Sequence, residues 1–257
     1  MSAPLDLVDL TKTYPTPAGP VVVVRDFTLK VAEGEFVCLV GHSGCGKSTV
    51  LSIAAGLNVP ASGRVTIAGR PIAGPDIDRG VVFQSPSLLP WMTALDNVRL
   101  AVDQARPAAS REERDAIARA CLARVGLAAA VDRRPAELSA GMQQRVGIAR
   151  AFALSPKVLL LDEPFGMLDS LTRIELQEVL IALWTKERTT ALMVTHDVDE
   201  ALFLADRIAL MTNGPEARLG AVLDVPFARP RLRHDVIEHS AYYRLREEVI
   251  TFLEDES

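Results

Sequence analysis

Hydrophobic and polar positions along the chain repeat at two periods, and the changes between them mark out its elements. Val21 to Val24 is a β-branched run and Phe27 to Val31 alternates, so the opening region reads as short strands. Glu33-Gly34-Glu35 reads as a turn into another strand, Phe36 to Val40, which runs straight into a glycine-rich loop. From Ser48 to Gly56 the period becomes helical, and Gly56 and Pro60 are its stop signals. Strands follow at Arg64 to Ala68 and Val81 to Phe83. The character then changes at Ser85-Pro86 and Leu89-Pro90, after which a helical insert is expected. Inside it Ser110 and Glu113 form a capping box, and Ile117, Cys121 and Val125 recur at spacing four, a stripe read as packing. A second helix is predicted from Ser139 through Ala149 towards Leu154, ending before Pro156. Strands resume at Val158 to Leu161, Ala191 to Val194 and Ile208 to Met211, separated by helices near Leu171 to Trp184 and Val198 to Leu204. Asn213-Gly214 suggests a hairpin into Arg218 to Leu223. Strands alternating with helices imply an α/β fold with a mostly parallel sheet.

Composition narrows this picture. With 257 residues, 49% of them hydrophobic, the chain can bury the core of one large domain or two closely packed subdomains. A formal net charge of -5 supplies no basic field for a phosphate backbone, so nucleic acid is not expected as a partner. Cys38, Cys45 and Cys121 contain no CxxC pair, which argues against a disulfide framework or a zinc site and for a reducing, cytosolic compartment. Met1 to Leu10 has no secretory pattern, and no apolar run approaches the ~18 residues of a membrane span. At a membrane, the chain is expected to be peripheral.

The first chemical motif is Gly41-His42-Ser43-Gly44-Cys45-Gly46-Lys47-Ser48, which satisfies G-x-x-x-x-G-K-S between a predicted strand and helix. Its backbone N–H groups are suited to wrap phosphates, Lys47 to place a cation on the β- and γ-phosphates, and Ser48 to ligate magnesium. The side chains of His42 and Cys45 need not touch nucleotide. The second motif, Val158 to Glu163, is an apolar strand ending in two carboxylates. Asp162 is expected to hold magnesium through water, and Glu163 to be the general base that polarises the attacking water. Between the two motifs lies Leu138-Ser139-Ala140-Gly141-Met142-Gln143-Gln144-Arg145. Its Ser139 hydroxyl and Gly141 N–H stand at the positive end of a helix, suited to grip a γ-phosphate.

That stretch resembles the signature of ATP-binding-cassette (ABC) ATPases, and the resemblance extends from about Leu5 to Phe227. It implies a P-loop NTPase fold: a RecA-like, mostly parallel sheet with an antiparallel β subdomain and an inserted helical subdomain. It assigns residues 1–84 and 158–228 to the catalytic core, 85–157 to the helical subdomain and 229–257 to a C-terminal tail helix. It extends the nucleotide contacts from Gly41 through Thr49, with Ser139 and Gly141 gripping nucleotide held by the opposite subunit. Ala140 departs from the common glycine. The resemblance further implies that Tyr14 stacks on adenine, that Gln84 contacts magnesium and water, and that Asp169 crosses to the other subunit. His196, in Val194-Thr195-His196-Asp197, would hold the γ-phosphate and catalytic carboxylate in line. ATP and Mg2+ are the implied ligands. The implied partners are a second copy or a related ATPase subunit, an integral-membrane permease and a solute-binding protein.

The stretch between Gln84 and Ser139 is too short for a long coiled-coil insertion, which favours a transporter over a DNA-repair role. Ser85 to Met92 is apolar and breaker-rich, suited to a groove for a short helix of a permease or equally to an ordinary packed loop. Gln84 to Trp91 and Asp162 to Asp169 are similar to import ATPases of the nitrate, sulfonate and taurine group. Gly41 to Thr49 and the tail from Arg229-Pro230-Arg231 to Arg246 are similar to its nitrate, nitrite, cyanate and bicarbonate branch. The resemblance therefore implies a peripheral ATPase on the cytoplasmic face of the inner membrane that energises uptake of a small anion. Nitrate or nitrite comes first; taurine or alkanesulfonate, cyanate and bicarbonate are alternatives, and a soluble assembly ATPase is the rival class. Arg229, Arg231 and Arg233 are read as a solvated stretch.

Overall fold

The computed structural model describes residues 4–256. In chain order these form β1 Leu5–Thr16, β2 Gly19–Val31, β3 Phe36–Val40, α1 Lys47–Ala54, β4 Ser62–Ile67 and β5 Arg70–Pro71. There follow β6 Arg79–Val82, α2 Ala94–Ala105, α3 Arg111–Arg124, α4 Ala140–Ala153, β7 Val158–Asp162 and α5 Ser170–Glu187. The chain continues through β8 Thr190–Thr195, α6 Val198–Leu204, β9 Arg207–Met211, β10 Leu219–Asp224, α7 Arg233–Glu238 and α8 Tyr242–Asp255. The chain divides into two compact units, one of residues up to 75 together with those from 190 onward, the other of residues 76–189.

In the first unit β2, β1, β4 and β5 form an antiparallel sheet. β1 was not foreseen, and β2 is one strand where two were expected. Both differences have one cause. Asp9 and Asp26 adopt left-handed backbone at φ 51° and 49°, each beside a register shift in the β1/β2 ladder. The bulges stretch the apolar spacing from two to three, Leu7 to Leu10 and Val24 to Phe27, so the inward face continues although the alternation breaks. Thr28 donates to the Asp9 carboxylate at 2.9 Å and accepts from its N–H, and Thr11 likewise donates to Asp26 at 3.4 Å and accepts from its N–H. The same unit holds β3 between β8 and β9, both parallel to it, with β10 antiparallel to β9 through the expected hairpin. All five residues of β3 are buried, as befits a central parallel strand covered on both faces.

The second unit pairs β6 and β7 in parallel and packs α2, α3 and α4 against one another. Its helices start where side chains meet their first N–H groups: Thr93 with Asp96 and Ser110 with Glu113 as capping boxes, Ser139 and Asp169 as single caps. On α3 the buried stripe is Ala118 and Leu122, continued by Val125 just beyond the helix; Ile117 and Cys121 are only half-buried, one position off the expected line. α2 was not singled out in the sequence because its window opens on the proline-rich stretch before it.

The tail arginines are not solvated as a group. Arg231 is buried and Arg229 half-buried, and they donate to the carbonyls of Phe203, Leu204 and Ala205 at the end of α6 and pair with Asp206. Two guanidiniums thus satisfy carbonyls that α6 leaves without helical partners. Burial lowers the Arg231 pKa to about 10, which leaves it cationic at neutral pH.

Candidate functional site

In the first unit the loop after β3 carries the G-x-x-x-x-G-K-S residues. Gly44 and Gly46 take positive φ of 82° and 108°, and a Cβ on Gly46 would stand 2.9 Å from Val24 Cγ2 of β2. Only glycine fits there, and the antiparallel sheet is thereby seated against the loop. Lys47 is buried, and its ammonium donates to the carbonyls of Gly41 at 2.8 Å and His42 at 2.7 Å. A cation fixed in this way is directed by the loop itself. Ser48, the first helical residue after it, is exposed. Cys45 lies buried within the loop, and burial raises its thiol pKa, so it is unsuited to redox chemistry. The His42 ring reaches the far end of the chain, where Nε2 lies 2.7 Å from the Leu253 carbonyl.

Tyr14, on β1, accepts from Asn58 Nδ2 at 2.6 Å, and the Lys12 ammonium lies 5.0 Å from its ring centroid. His196 is exposed at the junction of β8 and α6, unlike a buried structural histidine. Its neighbours hold that junction: Asp197 caps α6, Thr195 accepts from the Asp197 N–H at 3.0 Å, and the Thr195 hydroxyl donates to the buried Glu200 carboxylate. Glu200 was overlooked in the sequence, although Asp197 and Glu200 have capping-box spacing.

In the second unit β7 delivers Asp162 and Glu163 in succession, both half-buried. Glu163 adopts left-handed backbone at φ 42°, an uncommon conformation for a non-glycine residue and one found at functional sites. Gly166 shows where the side chains converge, since a Cβ built on it would lie 3.4 Å from both Gln84 Nε2 and Glu163 Oε2. The carboxylate and the amide expected to manage water therefore share one small volume. Asp169 caps α5 by accepting from the Thr172 N–H at 3.1 Å, and its bonds from Thr172 hold the carboxyl pKa down.

Ser139 caps α4, accepting from the Met142 N–H at 3.3 Å. A Cβ on Gly141 would stand 2.4 Å from Thr172 Cγ2, so the helix starts carrying Ser139 and Asp169 are packed through Thr172. Ala140, next to that contact in the chain, is exposed. Along α4, Gln144 donates to the Phe83 carbonyl at 3.0 Å, and Arg150 donates to Pro86 and Ser87, both at 2.9 Å. Asn97, fully buried on α2, accepts from Leu89 N–H at 2.8 Å and donates to the carbonyls of Leu89, Met92 and Thr93. Residues 83–93 are consequently held from both sides while Trp91 remains 66% exposed. Asn97 and Arg150 carried no sequence signal, because a side chain bonded to loop carbonyls is recognisable only once the loop's path is known. Among the described residues, no group of three or more His, Cys, Asp and Glu side chains is placed to hold a metal by itself.

Residues 24–166 match the family described as ABC transporter. The nitrate import ATP-binding protein NrtD of Synechococcus elongatus is 54% identical, over 94% of this chain and 88% of its own length. The bicarbonate transport ATP-binding protein CmpD of Synechocystis is 51% identical, over 97% of this chain and 88% of its own. Among solved structures, the ATP-binding cassette MJ0796, a dimer bound to ADP and Pi in a post-hydrolysis state, is 34% identical with a TM-score of 0.77. It covers 87% of this chain and 100% of its own.

Proposed function

The chain belongs to the ABC transporter ATPases, and from that premise we propose that it powers an importer of a small oxyanion, nitrate or bicarbonate. The sequence motifs placed nitrate or nitrite first. Relatives named for nitrate and for bicarbonate stand at 54% and 51% identity, which supports nitrate and gives bicarbonate equal support. Both ions are flat, singly charged and trigonal, and the permease and its binding protein choose between them.

The observation that carries the reading of the site is that the Glu163 carboxylate and the Gln84 amide both border Gly166. Glu163 takes the proton of the attacking water and Gln84 orients that water, since phosphoryl transfer depends on positioning and electrostatics. Lys47 balances charge on the β- and γ-phosphates, backbone N–H groups from Gly41 to Thr49 bind them, and Tyr14 stacks on adenine. His196, held by the Thr195, Asp197 and Glu200 contacts, keeps the γ-phosphate in line. The Ser48 hydroxyl, the Gln84 amide oxygen and the Asp162 carboxylate are an all-oxygen set that fits magnesium, with phosphate and water completing it. Magnesium supplies charge neutralisation on the phosphates when bound.

Ser139, Gly141 and Asp169 act on nucleotide held by a second copy or a related subunit. Their common packing through Thr172 supports a shared role. Among the described residues no helix is long and apolar enough to cross a membrane. We place the chain on the cytoplasmic face of the inner membrane, with the rigidly held segment around Trp91 against an integral permease fed by a solute-binding protein. Cells lacking the chain, supplied with labelled nitrate or labelled bicarbonate, test the reading. Loss of uptake of one ion, restored by wild type but not by Glu163→Gln, is expected; unaltered uptake of both would defeat the oxyanion assignment.

A further inference from the structure

The loop around His42 and the tail after Arg229 are joined by a hydrogen bond. A carbonyl can only accept, so His42 Nε2 carries the proton and donates to Leu253 O at 2.7 Å. Leu253 lies in the last turn of α8, where carbonyls run out of helical N–H partners and an outside donor is favoured. The other side of His42 faces the chemistry, because its own carbonyl accepts from Lys47 Nζ at 2.7 Å. The chain of contacts therefore runs from α8 through His42 to the lysine ammonium.

α8 is itself anchored. Tyr242, Leu245 and Val249 bury one face of it, and the Phe252 ring lies so close to β10 that a Cβ on Gly220 would stand 2.4 Å from Phe252 Cζ. The Asp199 carboxylate of α6 accepts from the Tyr242 hydroxyl and from Arg246, each at 2.8 Å. The helix thus touches both the phosphate loop and the helix that follows His196.

We infer that α8 is a positioning element of the nucleotide site, acting through His42, which fixes the phosphate loop and Lys47 for ATP. The inference rests on the ATPase reading above. His42→Ala is expected to raise the KM for ATP about three- to tenfold, the weight of one net hydrogen bond, with a smaller change in kcat. His42→Gln, which can still donate to Leu253, should recover most of the loss. Phe252→Ala, which loosens α8 without touching the loop, should raise KM similarly, and the double variant should fall short of the product of the two single effects. Hydrogen exchange in the last turn of α8 should quicken in His42→Ala even without nucleotide. A wild-type KM in His42→Ala, a Gln variant no better than Ala, or multiplicative effects in the double variant would overturn the inference. If the wild type failed to hydrolyse ATP, the ATPase reading would fall, while the exchange measurement would still report whether His42 holds α8.

Discussion

Glu163 shows how a single position joins backbone and chemistry. Its φ of 42° turns the carboxylate off the axis of β7, to the place where Gln84 also arrives. Glutamine tolerates the same backbone and has the same size, so Glu163→Gln removes the base and little else. It should reduce kcat about 10²- to 10⁴-fold, the usual weight of a general base, while nucleotide binding persists in a direct fluorescence titration. Ordinary turnover in this variant would remove Glu163 from the role. Ala140 makes the opposite case. Its methyl is exposed whereas the neighbouring Gly141 has no room for one, so the departure from the common glycine falls at the tolerant position. Ala140→Gly should leave the hydrolysis rate within about twofold, a helix-propensity cost of about 1 kcal/mol being confined to the first turn of α4.

At the scale of elements, α4 acts as a strut. It starts at Ser139, and its Gln144 and Arg150 hold the backbone of Phe83, Pro86 and Ser87. Asn97 fastens the remainder of that segment from α2. Asn97→Ala strands the part-buried Leu89 N–H and leaves a hole at a fully buried position, and it should cost about 1–3 kcal/mol, lowering the thermal midpoint by several degrees. ATP turnover by the isolated chain should persist while transport by the assembled importer drops, and equal losses in both would show the segment to be plain scaffold. Much of this was legible in the sequence: the phosphate loop, the acidic strand end, the Ser110 box and the span of α6 follow from local chemistry and spacing. What escaped depends on tertiary partners. The bulges at Asp9 and Asp26 keep the apolar face continuous while destroying its period, which hid β1 and divided β2. Arg229 and Arg231 read as solvent-exposed because nothing local reveals that the end of α6 needs donors.

For the molecule as a whole, the decisive property is where the signature lies. Ser139 and Gly141 stand at the positive start of α4, the position from which we propose that they act on the γ-phosphate of a nucleotide held by a second chain. Asp169 starts α5 beside them through Thr172, which concentrates the three residues proposed to act on a second chain's nucleotide in one part of the second unit. If nucleotide is completed by a second chain, the active species is a pair, and its population rises with protein concentration until association saturates. The ATPase rate per chain should therefore increase with concentration at fixed saturating ATP and then level off. Glu163→Gln should turn over about 10²- to 10⁴-fold more slowly at every concentration while accumulating the closed pair, measurable by light scattering in the presence of ATP. A rate per chain that stays constant down to concentrations where scattering reports only monomers would mean that one chain completes its own site, and Ser139, Gly141 and Asp169 would then need another occupation.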